Sequence, residues 1–192
     1  MALDAMSEVS DEALLVLYAN GDKSAASSLT LRLVPRIMAH AYRMLGDRAE
    51  AEDVAQEAML RLWKIAPDWR QGEAKVTTWL YRVTANLCTD RLRKVKHSDL
   101  DDAPEVADGA PSADQKMIAQ ARADALNRAL SELPERQREA VVLRHIEGLT
   151  NPEIAEVMDI SVEAVESLTA RGKRALAQAL GKRRAELGFY DG

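Results

Sequence analysis

Six residues near the carboxy-terminal end have the types and the helical spacing to read a nucleic acid: Glu166, Ser167, Ala170, Arg171, Lys173 and Arg174. An arginine such as Arg171 can donate two hydrogen bonds to a guanine edge, worth roughly 1–3 kcal/mol of discrimination, and a glutamate such as Glu166 can accept from a cytosine amino group. They open a run from 171 to 184 in which Arg171, Lys173, Arg174, Lys182, Arg183 and Arg184 appear with no acid among them. Such a run neutralises phosphate. The chemistry in view is hydrogen bonding and charge pairing, with no bond made or broken. Against it stands the formal net charge of -5 over 192 residues. An acidic chain is repelled by a polyanion unless its charges are segregated or something else binds DNA beside it.

Segregation is visible elsewhere. On AEAEDVAQEAMLRLWKIA, residues 49–66, a helical wheel gathers Ala51, Val54, Ala55, Ala58, Leu62 and Ile65 into one apolar arc. Asp53, Gln56, Glu57, Leu60 and Lys64 share the opposite stripe. This is either an ordinary solvated face or, because it is mostly acidic and carries one leucine, a docking face for a basic partner helix. VTTWLYRVTANLCTDRLRKVK, residues 76–96, reverses the sign. Val76, Leu80, Val83 and Leu87 keep core spacing, whereas Arg82, Asn86, Thr89, Arg93 and Lys96, extended by Arg91 and Lys94, suit a nucleic-acid backbone. Trp79 reads first as a packing residue and second as a platform for a base.

Nothing supports catalysis or a cofactor. Cys88 is the one cysteine, and His40, His97 and His145 are too scattered to make a metal pattern with it. A glycine-rich phosphate loop, a nucleophile elbow and an HExxH motif are all absent from the sequence.

The elements that must carry these residues are helical. Composition is 47% hydrophobic but only 4% aromatic, with few alternating β-branched runs, which predicts an all-α chain. In LTNPEIAEVMDISVEAVESL, residues 149–168, Thr150 and Glu153 form a capping box and Ser161 caps a second helix. Ile154, Ala155, Met158, Ile160, Val162, Val165 and Leu168 then make the core of a helix-turn-helix. Short helix pairs are also common in all-α domains. Gly172 disfavours helix by roughly 1 kcal/mol relative to alanine, so fraying is expected there. Upstream, one helix begins at Pro134 and ends at Glu147 before Gly148. Another precedes it over 113–133.

Four helical segments fill the amino-terminal part, with Ser10 as a cap and Pro35 expected to kink or split the second. Residues 98–114, SDLDDAPEVADGAPSAD, hold six acids, no base, two prolines and a glycine. That is linker composition, or a stretch of acid mimicking nucleic acid. The division is therefore 1–97, an acidic flexible linker 98–114, and 115–192. The sequence has no run of apolar residues long enough to span a bilayer, and MALDAMSEVSDE lacks the regions of a signal peptide, which predicts a cytoplasmic protein without membrane insertion.

Three segments in this order resemble bacterial sigma factors of the sigma-70 superfamily, in the small extracytoplasmic function (ECF) group. AEDVAQEAMLRLW is similar to the polymerase-binding segment of that family, TTWLYRVTANLCTDRLRK to its promoter-melting and minus-ten-reading helix, and LSELPERQREAVVLRHIEGLTNPEIAEVMDISVEAVESL to its minus-35-reading domain. The resemblance covers about residues 10–97 and 115–180. It implies a region 2-like bundle and a region 4-like helix-turn-helix domain. Asp53, Gln56, Glu57 and Leu60 would contact the clamp helices of the largest polymerase subunit, and the resemblance also implies contact with the flap of the second-largest. Asn86 would hold a base flipped from the minus-ten strand beside Trp79, with Arg82, Arg91, Arg93 and Lys94 on the backbone. Arg144 joins Glu166, Ser167, Ala170, Arg171, Lys173 and Arg174 at the minus-35 element. Glu166 and Gly172 depart from the usual residues at their positions.

The resemblance further implies core RNA polymerase, promoter DNA and an anti-sigma factor as partners, no cofactor and no enzymatic activity. Net acidity is then permissible, because the polymerase supplies the electrostatic grip. The isolated chain should bind promoters poorly and lose residual affinity roughly a thousandfold between about 50 and 200 mM salt. Two rivals are a free-standing helix-turn-helix regulator, which would bind promoters without polymerase, and a helical adaptor with no DNA role.

Overall fold

A computed structural model describes residues 8–98 and 114–183. Of the acidic stretch 98–114, only its two end residues fall among them; the rest lies outside the described residues. Helices α1 (Asp11–Ala19), α2 (Lys23–Leu45), α3 (Arg48–Ile65) and α4 (Val76–Ser98) form the first half, with a 3-10 turn at Ala66–Asp68. Helices α5 (Asp114–Ser131), α6 (Glu135–Val141), α7 (Asn151–Met158) and α8 (Val162–Lys182) form the second, with a π-helical turn at Val142–Ile146. No strand occurs among the described residues.

Local chemistry sets the helix starts. The Ala13 N–H donates to Ser10 Oγ at 3.2 Å, Asp22 accepts from Ser24 and Asp47 from Glu50. The start of α4 borrows its cap, since the Val76 N–H donates to Glu12 Oε1 of α1 at 2.9 Å. Pro35 does not split α2, which runs unbroken from Lys23 to Leu45. Proline removes one N–H and leaves the rest of the ladder, and here Leu33 and Ile37 on either side are buried, so packing holds the helix through it.

The helix expected to reach Glu147 stops being α at Val141 and widens into the π turn. The Glu147 N–H donates to Val142 O at 3.0 Å, closing the wide turn. The extra residue lets Val141, Val142 and Leu143 all be buried in succession while Arg144 and His145 face out. No local sequence signal marks that widening.

In the first half, α2 packs on α3 and α4, and Leu29, Leu33, Ile37, Ala58, Leu62 and Leu80 fill the space between them. In the second, α8 packs on α5, α6 and α7. The same apolar cluster continues across both halves: Leu149, Ile154, Val157 and Met158 join Leu80, Tyr81 and Ala85, because α7 rests directly on α4. A sequence read as two bodies on a tether thus folds with the bodies in contact.

Candidate nucleic-acid interface

The capping box that opens the helix-turn-helix forms as spaced. The Thr150 N–H donates to Glu153 Oε2 at 2.8 Å, and the Glu153 N–H to Thr150 Oγ1 at 3.4 Å. Asp159 makes the turn at φ 53°, and Ser161 Oγ accepts from the Ala164 N–H at 3.2 Å. Ile154, Met158 and Val165 are buried, with Ala155, Ile160, Val162 and Leu168 partly so; Val157, also buried, was not expected.

The opposite side of α8 is open. Glu166, Ser167, Ala170, Arg171, Lys173 and Arg174 are all exposed, as a reading face requires. Arg171 is not loose on it: its Nη2 donates to Ser167 Oγ at 2.9 Å, one turn back, which fixes the guanidinium along the helix. Arg144 sits in the exposed part of the π turn and donates from Nη1 to Leu149 O at 2.9 Å. His145 beside it is held below its usual pKa by burial first and then by the charges of Lys173 and Arg144. Arg183 turns away from the face and pairs with Glu132, in the turn just after α5, at 2.6 Å.

Gly172 does not fray α8. It is buried, and a Cβ built on it would lie 2.5 Å from Val141 Cγ2 and 2.8 Å from the Gln137 carbonyl oxygen. The residue is glycine because α6 crosses α8 there, and its place is on the inner side, away from any DNA.

On α4, Arg82 and Asn86 are exposed on one stripe with Arg93, Lys94 and Lys96. Trp79 is half-buried and packs edge-on against Trp69, their centroids 6.1 Å apart, at one end of the loop 70–75. Arg91 is different. It is ion-paired to Glu50 and so ties α4 to α3. Cys88 is buried, and burial pushes its thiol up to about 12, which leaves it no nucleophilic role.

On α3 the stripe stands as the wheel placed it, with Asp53, Gln56, Leu60 and Lys64 exposed and Glu57 partly so, in an ion pair with Arg61 at 2.9 Å. Leu60 is 58% exposed beside a groove of about 320 Å³ between α2 and α3, lined by Val34, Met38, Gln56, Met59, Leu60 and Trp63. An apolar trough with carboxylates on its rim suits an amphipathic helix with basic flanks.

Sequence reasoning missed the polar groups that join the halves. Glu147 accepts from Arg43 Nη1 at 3.1 Å through Oε1 and from the Tyr81 hydroxyl at 2.6 Å through Oε2. Lys75 pairs with Glu153 at 2.6 Å, and Arg138 donates to the Met44 carbonyl at 2.6 Å. Hydrogen bonding to Lys75, ahead of that to Thr150, holds Glu153 down to about 2. Partners so far apart in the chain leave no periodic trace.

Residues 29–98 match the family Sigma-70 region 2, and residues 123–176 match Sigma-70, region 4. The chain is 33% identical over 172 residues to the ECF RNA polymerase sigma factor SigW of Bacillus subtilis, across 83% of this chain and 91% of that protein. Its fold is similar to that of CnrH, solved in complex with the cytosolic domain of CnrY, with a TM-score of 0.65, 26% identity, and coverage of 90% of this chain and 97% of that one. It is also similar in fold to the sigma factor RpoE of Bartonella quintana, solved with the anti-sigma factor NepR, with a TM-score of 0.66, 22% identity, and coverage of 81% and 96%.

Proposed function

Because the chain belongs to the sigma-70 family, in its ECF group, we propose that it docks on core RNA polymerase through α3 and presents promoter DNA to two separate surfaces, α4 and α8. It is an alternative sigma factor, a specificity subunit for transcription initiation and not an enzyme; the polymerase performs the chemistry. What carries the assignment of surfaces is the separation of charge: Asp53 and Glu57 lie on α3 beside an apolar groove, whereas Arg82, Asn86, Arg171 and Lys173 lie on α4 and α8.

In this reading Asp53, Gln56, Glu57 and Leu60 meet the clamp helices of the largest subunit, and the second half meets the flap of the second-largest. Asn86 and Trp79 receive an unstacked base of the minus-ten strand, with Arg82, Arg93 and Lys94 along its backbone. Arg91, tied to Glu50, steadies α4 and reaches DNA only by leaving that partner. Unpairing costs a few kcal/mol, offset by the base pocket and backbone contacts. Arg171 and Glu166 read the minus-35 major groove, with Arg144, Lys173 and Arg174 on phosphates and Ser167 and Ala170 at the base edges.

Control by an anti-sigma factor fits the same apolar, acid-rimmed groove between α2 and α3, since a protein that covers it displaces the polymerase. No helix among the described residues is long and apolar enough to cross a membrane. In this reading the chain works in the cytoplasm, alongside the polymerase. The test is gel filtration with core polymerase. The wild-type chain should co-migrate and the Asp53→Ala, Gln56→Ala variant should not, while both keep the same helical circular dichroism. Equal co-migration would overturn the docking face.

A further inference from the structure

We propose that Ser167 is a positioning residue for promoter reading: it occupies the side edge of the Arg171 guanidinium, so that only the end edge, Nη1 with Nη2, is offered to a base. The proposal rests on the reading of α8 as the minus-35 recognition helix. Ser167 stands at the base edges in that reading, and its part there is played through Arg171.

A guanidinium carries several N–H donors in a rigid plane and two edges that can make a paired hydrogen bond, one formed by Nε with Nη2 and the other by Nη1 with Nη2. On α8 the first edge is taken. Nε donates to the Ser167 carbonyl oxygen at 3.3 Å, and Nη2 donates to Ser167 Oγ at 2.9 Å. Nη1 and the second hydrogen of Nη2 stay free, and together they make the end edge. That edge matches O6 and N7 of a guanine, whereas a loose arginine turns either edge to the base or leaves it for a phosphate.

Position along the helix gives a second argument. Base edges are met by the amino-terminal residues of a recognition helix. α8 begins at Val162, and Arg171 lies about two and a half turns beyond it. The bonds to Ser167, one turn earlier, draw the guanidinium back by roughly 5 Å toward the end where bases are read.

The chemistry of the partner gives a third. Arginines elsewhere in the chain are held by carboxylates: Arg32 by Asp11, Arg48 by Glu52, Arg61 by Glu57 and Arg91 by Glu50. Arg171 is held by a hydroxyl and a carbonyl, and the sequence from 167 to 184 contains no acid. A carboxylate would fix the group and cancel its charge. Ser167 fixes it and leaves the charge to the DNA. Side-chain freedom given up before the DNA arrives is no longer a cost of binding.

Competition binding across a minus-35 library tests this, with the full chain in complex with core polymerase as wild type, Ser167→Ala, Ser167→Thr, Arg171→Ala and the Ser167→Ala, Arg171→Ala double variant. Both residues are exposed, and helical circular dichroism should be the same for all five. Ser167→Ala removes the shorter bond and leaves the guanidinium on the longer one, to the carbonyl. It should lower the preference at the base pair that Arg171→Ala relaxes by about fivefold, the worth of one hydrogen bond. Affinity for unrelated sequences should not fall, and the slope of log affinity against log salt should steepen by up to about one as the freed group turns to a phosphate. Threonine keeps an oxygen at that place, so Ser167→Thr should restore the preference. In the Arg171→Ala background, Ser167→Ala should change the preference no further. An unchanged preference in Ser167→Ala overturns the positioning role, and so does a loss that persists without Arg171, which would set Ser167 itself on a base. If Arg171→Ala relaxes no base pair, the reading of Arg171 falls and the proposal with it, a result distinct from either of those.

Discussion

Gly172 faces Val141 so closely that a methyl on its α-carbon would stand 2.5 Å from Val141 Cγ2, with the Gln137 carbonyl oxygen at 2.8 Å behind it. A backbone oxygen cannot rotate aside, so Gly172→Ala must push α8 off α6. The expected cost is about 1–3 kcal/mol, as for overpacking in a filled core, read as a lower urea midpoint. Gly181 in the same helix has open space around it, and Gly181→Ala should be neutral or stabilising by up to about 1 kcal/mol. Equal effects at the two sites would contradict the packing account.

Arg171 and Lys173 are both exposed on α8 but should fail differently. In complex with polymerase, Arg171→Ala should cost about 1–3 kcal/mol on a cognate minus-35 sequence and relax the preference at one base pair. Lys173→Ala should weaken all sequences alike and lower the slope of log affinity against log salt by about one. Competition binding across a minus-35 library at several salt concentrations separates the two. A uniform loss for Arg171→Ala would remove it from base reading.

Stability should depend on pH through two buried groups that pull in opposite directions. Burial, only partly offset by Arg136, pushes Glu139 up to about 7. A raised carboxyl favours the folded state at low pH, and that stability is lost as pH rises through about 7. Burial first, and then the Arg43 charge, pushes His40 down to about 3. The unfolded histidine then takes a proton that the folded one refuses, so stability falls as pH drops below about 6.5. Between about pH 6 and 8 each contributes on the order of 1 kcal/mol with opposite sign, and the wild type should be nearly flat. Glu139→Gln leaves the histidine alone, and urea unfolding of that variant should show stability rising with pH. A flat variant would place Glu139 in a wetter site than its burial implies.

The helix-turn-helix was legible because its signals are local. Thr150, Glu153 and Ser161 cap within four residues of themselves, and the apolar positions recur at helical spacing. The α3 stripe was legible for the same reason. Gly172 was misread as a weak point in α8 because propensity describes one helix, and what fixes this residue is a carbonyl on another. The π turn was missed since a widened turn needs only one residue out of phase. Glu147 was missed because its partners, Arg43 and Tyr81, stand 104 and 66 positions away. Their meeting depends on how α7 settles on α4, and one sequence carries no periodicity for that.

In vitro transcription from a promoter library, with core enzyme and either the wild-type chain or the Asp53→Ala, Gln56→Ala variant, bears most directly on the partition of surfaces. The wild type should initiate from a discrete subset of promoters and the variant from almost none, with both equally folded. Equal output from the two proteins, or output indifferent to promoter sequence, would contradict it.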